Sequence, residues 1–178
     1  MKERAFNAYQ HEVCAILDGR QTQFRRVIKP QPIGEYKGGF IGVLPRCRYG
    51  DLGDLLWVRE AWAYENAQGY SGDVLLFRAD GDISGVPWRR SIHMPRWASR
   101  ITLRIVDVRI ERVQEIGPSD YRAEGIDLSY GAQMNSLQIE PMYKNRWIAL
   151  WDSINAKRGY GWDANPLVWV IEFEKVQL

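Results

Sequence analysis

The sequence predicts an α+β fold: a small β-barrel with flanking helices. Three observations lead there. Short apolar runs rich in β-prone residues recur along the chain, and helical periodicity is confined to a few stretches. Strands and helices also fail to alternate in βαβ fashion, which argues against a doubly wound parallel sheet. With 178 residues, one domain with a few long loops is expected, large enough to enclose a core without disulfide or metal staples. The hydrophobic share of 46% and charged share of 26% place the chain with ordinary globular proteins rather than disordered ones.

Taken in order, residues 6–18 put Val13, Ile16 and Leu17 on one helical face and then meet Gly19, the residue expected just past a helix end. Pro30, Pro32 and Pro45, with glycines from Gly34 to Gly50, make residues 30–54 a long loop with a short strand around Phe40 to Leu44. Loops of that length are often functional. GDLLWVREAW, 53–62, reads as one buried strand, and DVLLFRA, 73–79, as another. ITLRIVDVRIERV, 101–113, alternates with a phase shift at Val106, as a long bulged strand does. Pro118 and Ser119 open a short helix, with Ser119 as N-cap, that stops at Gly125. Met142, Trp147, Leu150, Trp151 and Ile154 form the stripe of a core-packed helix over about 141–155, and PLVWVIEFEKV, 166–176, is the closing strand. Neither an internal repeat nor a low-complexity tract is present.

Cys14 and Cys47 lack the spacing of a zinc or disulfide framework, so two reduced thiols, no metal and no cofactor are expected. The N-terminal MKERAFNAYQHEV has no apolar segment behind its basic residues, and no run of 18 apolar residues occurs. A cytosolic protein without membrane contact is expected.

Net charge is +2, unevenly spread. Residues 20–48 hold Arg20, Arg25, Arg26, Lys29, Lys37, Arg46 and Arg48 against Glu35; residues 88–112 hold seven arginines against Asp107 and Glu111. These stretches are either solvated faces or an anion-binding surface. Arginine outnumbers lysine in both, and its planar fork suits phosphate and base edges.

ILDGRQTQFRRVIKPQP at 16–32, GDLLWVRE at 53–60 and VWVIEFE at 168–174 together resemble ASCH-domain proteins, in particular their phage and prophage branch. Such proteins show a helix ending in Gly, a G-x-K-x-x-[ET]-x-R set, a G-D-x-L strand opening and a closing V-I-E-F strand. The resemblance implies a single PUA-like barrel domain over 1–178 with a cleft beside the first helix, and makes about 63–100 a branch-specific insertion. It also implies RNA binding or recognition of a modified nucleotide. One bacterial relative is an amidohydrolase on N4-acetylcytidine that uses a lysine and a threonine of the motif and a downstream glutamate. Here Gly19 and Arg26 are kept, but Gln21 stands at the lysine position and Phe24 at the threonine position. A neutral amide exchanges no proton near pH 7, so binding ranks above hydrolysis.

The candidate ligand-binding residues are Arg20, Gln21, Phe24, Arg25, Arg26, Trp57, Arg59, Trp62, His93, Arg96, Trp97 and Arg100; Glu124 and Glu60 are candidate acid/base groups. Each has a plainer reading. The arginines after the first helix can complement its C-terminal dipole. Phe24, Trp57 and Trp62 are core residues or stacking platforms, and Arg59 and Glu60 form an internal pair or face the cleft. His93 is a hydrogen-bonding loop residue or a catalytic group. Glu124, set against the helix dipole just before a glycine, hints at a specific role. WRRSIHMPRWASR, 88–100, mixes arginine with tryptophan as a nucleic-acid surface does.

The leading expectation is a binding module for RNA, single-stranded nucleic acid or a modified nucleoside. Arg26, with Arg25 and Arg96, holds phosphate, while Trp57, Trp62 or Trp97 stacks on a base. The alternatives are a metal-independent hydrolase, either a nucleoside amidohydrolase or a ribonuclease, and a phage module that binds a host protein in the host cytosol.

Overall fold

A computed structural model of the chain describes residues 1–32, 45–66, 73–127 and 136–176. The strand expected around Phe40 to Leu44 lies outside them. Among the described residues, seven strands and three α-helices follow one another: β1 (Glu3–Asn7), α1 (Gln10–Leu17), β2 (Gln23–Val27), β3 (Leu55–Arg59), β4 (Trp62–Asn66), β5 (Asp73–Phe77), β6 (Thr102–Arg112), α2 (Pro118–Ala123), α3 (Ser136–Asn155) and β7 (Leu167–Val176). Five strands hydrogen-bond in the order β1-β3-β6-β7-β2, and β4 and β5 pair separately. The class is α+β, and the described strands close no barrel.

Two compact units divide the chain. The first comprises Met1–Gly19, Tyr49–Val106 and Phe173–Leu178; the second comprises Arg20–Arg48 and Asp107–Glu172.

In the first unit, β1 runs parallel to β3, with Glu3 opposite Leu55 and Asn7 opposite Arg59, and β3 runs antiparallel to the start of β6. Along β3, Leu56 and Val58 are buried while Leu55, Trp57 and Arg59 are half-exposed, the period-two pattern of a strand with one covered face. The run 53–62 is not one strand. It breaks at Glu60 and Ala61, where the Glu60 carboxylate is held by Arg100 and the Ala61 carbonyl accepts from the Arg78 amide. Trp62 then enters the second pairing, opposite Phe77. Strand β1 escaped the sequence reading because Phe6 is its one buried residue. Helix α1 buries Val13, Ala15 and Ile16. Gly19, at φ 71°, follows it in the left-handed conformation that glycine adopts without penalty.

In the second unit, β2 pairs antiparallel with β7, from Gln23 opposite Glu172 to Val27 opposite Val168. The unit's core gathers Val113, Ile116, Tyr121, Trp147, Trp151, Val168 and Val170. The Trp147 and Trp151 rings stack with centroids 5.3 Å apart, one helical turn apart in α3. The N-cap of helix α2 lies two residues earlier than expected. Gly117 is its N-cap and Pro118 its first residue, where a missing N–H costs nothing. The Asp120 carboxylate, rather than Ser119, accepts from the Gly117 amide at 3.0 Å. Helix α3 begins before Pro141 and contains it.

Among the described residues, no helix is long and apolar enough to cross a membrane. Cys14 and Cys47 are free thiols.

Candidate functional site

In the second unit, the chain leading into β2 and β2 itself bury Gln21, Gln23 and Arg25 at alternate positions, the spacing that puts side chains on one face of a strand. The Arg25 side chain has no exposed surface. Its Nη1 donates to Glu124 at 2.7 Å, and its Nη2 donates to Glu111 at 2.7 Å and to Asp120 at 2.9 Å. Arg109, on β6, donates to Glu111 at 2.6 Å, Asp107 at 3.2 Å and the Gln23 side-chain oxygen Oε1 at 2.9 Å, and also to Glu172. Gln23 Nε2 donates to Glu124 at 3.1 Å.

Carboxylates outnumber guanidiniums in this cluster, and burial decides which of them holds a proton. Burial pushes the Glu124 carboxyl up to about 7, against the pull of the Arg25 charge and the Gln23 hydrogen bond. Burial also raises Asp120, but the Gly117 amide and the Arg25 charge outweigh it and hold Asp120 below its ordinary value. Burial works against the charge of Arg25, but Glu124, Glu111 and Asp120 together outweigh it and hold the guanidinium charged.

The other candidates of this unit fall around the cluster. Gln21 bridges to Glu124 through the backbone, and its side-chain amide donates to the Gln23 carbonyl at 2.9 Å while its Oε1 is buried without a hydrogen-bond partner among the described residues. Phe24 is fully buried, so it is core and no stacking platform for a base. The Arg26 guanidinium lies 5.0 Å from the Phe24 ring centre, and its Nη1 donates to the Arg25 carbonyl. Arg20 donates to the Gly125 carbonyl at 2.9 Å. Arg25, expected to help hold phosphate, is instead enclosed by three acids. Gln23, Arg109, Glu111, Asp120 and Glu172 escaped the sequence reading, although Asp107, Arg109 and Glu111 at alternate β6 positions carried a signal.

The first unit holds the remaining candidates. Trp57 is half-exposed, with the Arg59 guanidinium 4.5 Å and the Arg96 guanidinium 6.0 Å from its ring centre. Arg59 also donates to the Ile92 carbonyl at 3.3 Å. Trp62 is buried beneath Arg89, at 5.1 Å. Trp97 is 66% exposed and meets Trp62 and Tyr64 edge-on, at 6.1 and 5.8 Å between ring centres. Arg96 pairs with Glu3. His93 is exposed, and its ring has no partner among the described residues. Arg59, Arg89 and Arg90 have no carboxylate partner among the described residues.

Arg100 grips both oxygens of Glu60, at 2.9 and 3.0 Å, and reaches Asp80 at 2.8 Å. Burial raises the Glu60 carboxyl above its ordinary value, and Arg100 offsets part of the rise. Glu60 also lines a pocket of about 200 Å³ at the start of α1, together with Tyr9, Ala61, Arg78 and Ala79. Among the described residues no group of His, Cys, Asp and Glu side chains is placed to hold a metal ion.

No family model and no curated protein matches the chain. It is similar to a solved protein of Enterococcus faecalis from the family DUF984, at 11% identity and a TM-score of 0.48, over 99% of this chain and 81% of that one. It is also similar to a solved ASCH domain from Lactobacillus crispatus, at 14% identity and a TM-score of 0.40, over 98% of this chain and 79% of that one. At such scores neither likeness bears on fold or function.

Proposed function

We propose that the chain binds single-stranded nucleic acid, RNA foremost, through the arginine and tryptophan face of its first unit. One observation carries the reading. An exposed tryptophan, Trp97, shares its aromatic cluster with Arg89, and Arg89, Arg90 and Arg59 have no carboxylate among the described residues to neutralise them. Unneutralised guanidiniums attract phosphate, and an exposed indole stacks on any base. The resemblance of the sequence motifs to ASCH-domain proteins, with their PUA-like barrel and phage branch, points the same way.

Gel-shift titration with single-stranded RNA, single-stranded DNA and duplexes tests it. Trp97→Ala is expected to weaken single-strand binding by about 1–3 kcal/mol, roughly 5- to 150-fold. Unchanged affinity in that variant removes the proposal.

A second reading rests on Glu124. A carboxyl held at about 7 beside a fixed guanidinium has the protonation behaviour of a general acid or base. Turnover of N4-acetylcytidine or RNA that disappears in Glu124→Gln would place hydrolysis ahead of binding; absence of turnover in the native protein ends this reading.

A further inference from the structure

The pocket at the start of α1 lies outside the aromatic face and calls for a different ligand chemistry. Its volume of about 200 Å³ falls below the roughly 300–1,000 Å³ of sites for drug-sized molecules, so it suits a single flat ring system. Ala8, Ala61 and Ala79 contribute little bulk to its lining, and Tyr9 contributes an aromatic one. The Tyr9 ring is stacked on His11, at 5.7 Å and 8° between planes.

Charge decides what kind of ring. Arg78 also lines the pocket, but its Nη2 is turned to Asp82 at 2.7 Å. Counting Glu60, Asp80 and Asp82 against Arg78 and Arg100, the surroundings are acidic and disfavour phosphate. Glu60 is 2% exposed and clamped by Arg100, so its orientation is fixed. An ionised carboxylate offers about four lone-pair sites; Arg100 occupies one on each oxygen, leaving acceptor capacity and no donor.

Resting on the nucleic-acid reading above, we infer that this pocket takes an amino-bearing nucleobase, adenine, cytosine or guanine, stacked on Tyr9 with its exocyclic amino group donating to the Glu60 carboxylate. Uracil and thymine are rejected. Each sets carbonyl oxygens on both sides of its one imide N–H, and an oxygen facing the carboxylate is repelled.

Titration calorimetry of the full chain with free adenosine, cytidine and uridine tests this. Adenosine and cytidine are expected to bind at least about tenfold more tightly than uridine, the loss of one hydrogen bond to a charged group. Ala79→Leu adds bulk to the pocket lining and substitutes neither Glu60 nor Arg100. It is expected to abolish nucleoside binding while leaving binding of oligo(dT), which has no amino group, unchanged. Equal binding of uridine, retained nucleoside binding in Ala79→Leu, or no nucleoside binding by the native chain overturns the inference. The two readings fail separately: oligo(dT) binding indifferent to Trp97→Ala rejects the aromatic face and leaves the nucleoside result to judge the pocket.

Discussion

Burial and a neighbouring guanidinium compete at Glu124, and burial prevails, leaving its carboxyl at about 7 instead of its ordinary 4.5. The fold therefore favours the protonated form, whereas the unfolded chain releases that proton near 4.5. Between those values the folded state binds more protons, so stability falls as pH rises, by up to about 1.4 kcal/mol per pH unit for one proton. Glu124→Gln is expected to flatten this slope, gaining on the native chain at pH 8 relative to pH 5 in urea denaturation; parallel slopes refute it. Glu124 was noticeable in the sequence from its place before Gly125. The fate of Arg25 was not, because Glu111, Asp120 and Glu124, which enclose it, are far away along the chain. A guanidinium's partners are set by tertiary packing, and charge counts within a segment cannot find them.

Among the elements, α3 is the one whose pattern in sequence most directly gives its packing. Trp147 and Trp151 recur at helical spacing and both enter the core of the second unit. Trp147→Ala is expected to cost about 3–5 kcal/mol, the range for emptying a large aromatic site, seen as a lower urea midpoint at an unchanged slope; a loss under about 1 kcal/mol would mean the ring is not packed as described. Strands β6 and β7 were equally plain from their apolar alternation. The division of 53–62 was not, since the partners met at the break, Arg100 for Glu60 and Arg78 for Ala61, are distant along the chain. The cap of α2 misled because Ser119 suits an N-cap, yet Pro118 takes the first helical position and Gly117 before it becomes the cap.

At the scale of the molecule, the second basic segment read from the sequence is partly neutralised in space. In the 88–112 segment Arg96, Arg100, Arg104 and Arg109 each meet an acid, while Arg89, Arg90 and Arg112, and Arg59 on β3, have no carboxylate partner among the described residues. Binding through them should weaken with salt, the logarithm of affinity falling by about 0.7 per tenfold salt for each phosphate neutralised on a single strand. Replacing both Arg89 and Arg90 by alanine should make that slope shallower by about 1.4; an identical slope shows they touch no phosphate. The α+β class was legible because it depends on local periodicity, while the two units were not, because each is assembled from separated stretches of chain. That assembly matters on the ribosome. Strand β2 emerges long before its partner β7, which starts only at Leu167, so a nascent chain carries an unsatisfied edge until that strand is made. A chain interrupted before that point would keep β2 exposed to neighbouring polypeptides, and one proteolytic cut cannot release either unit intact.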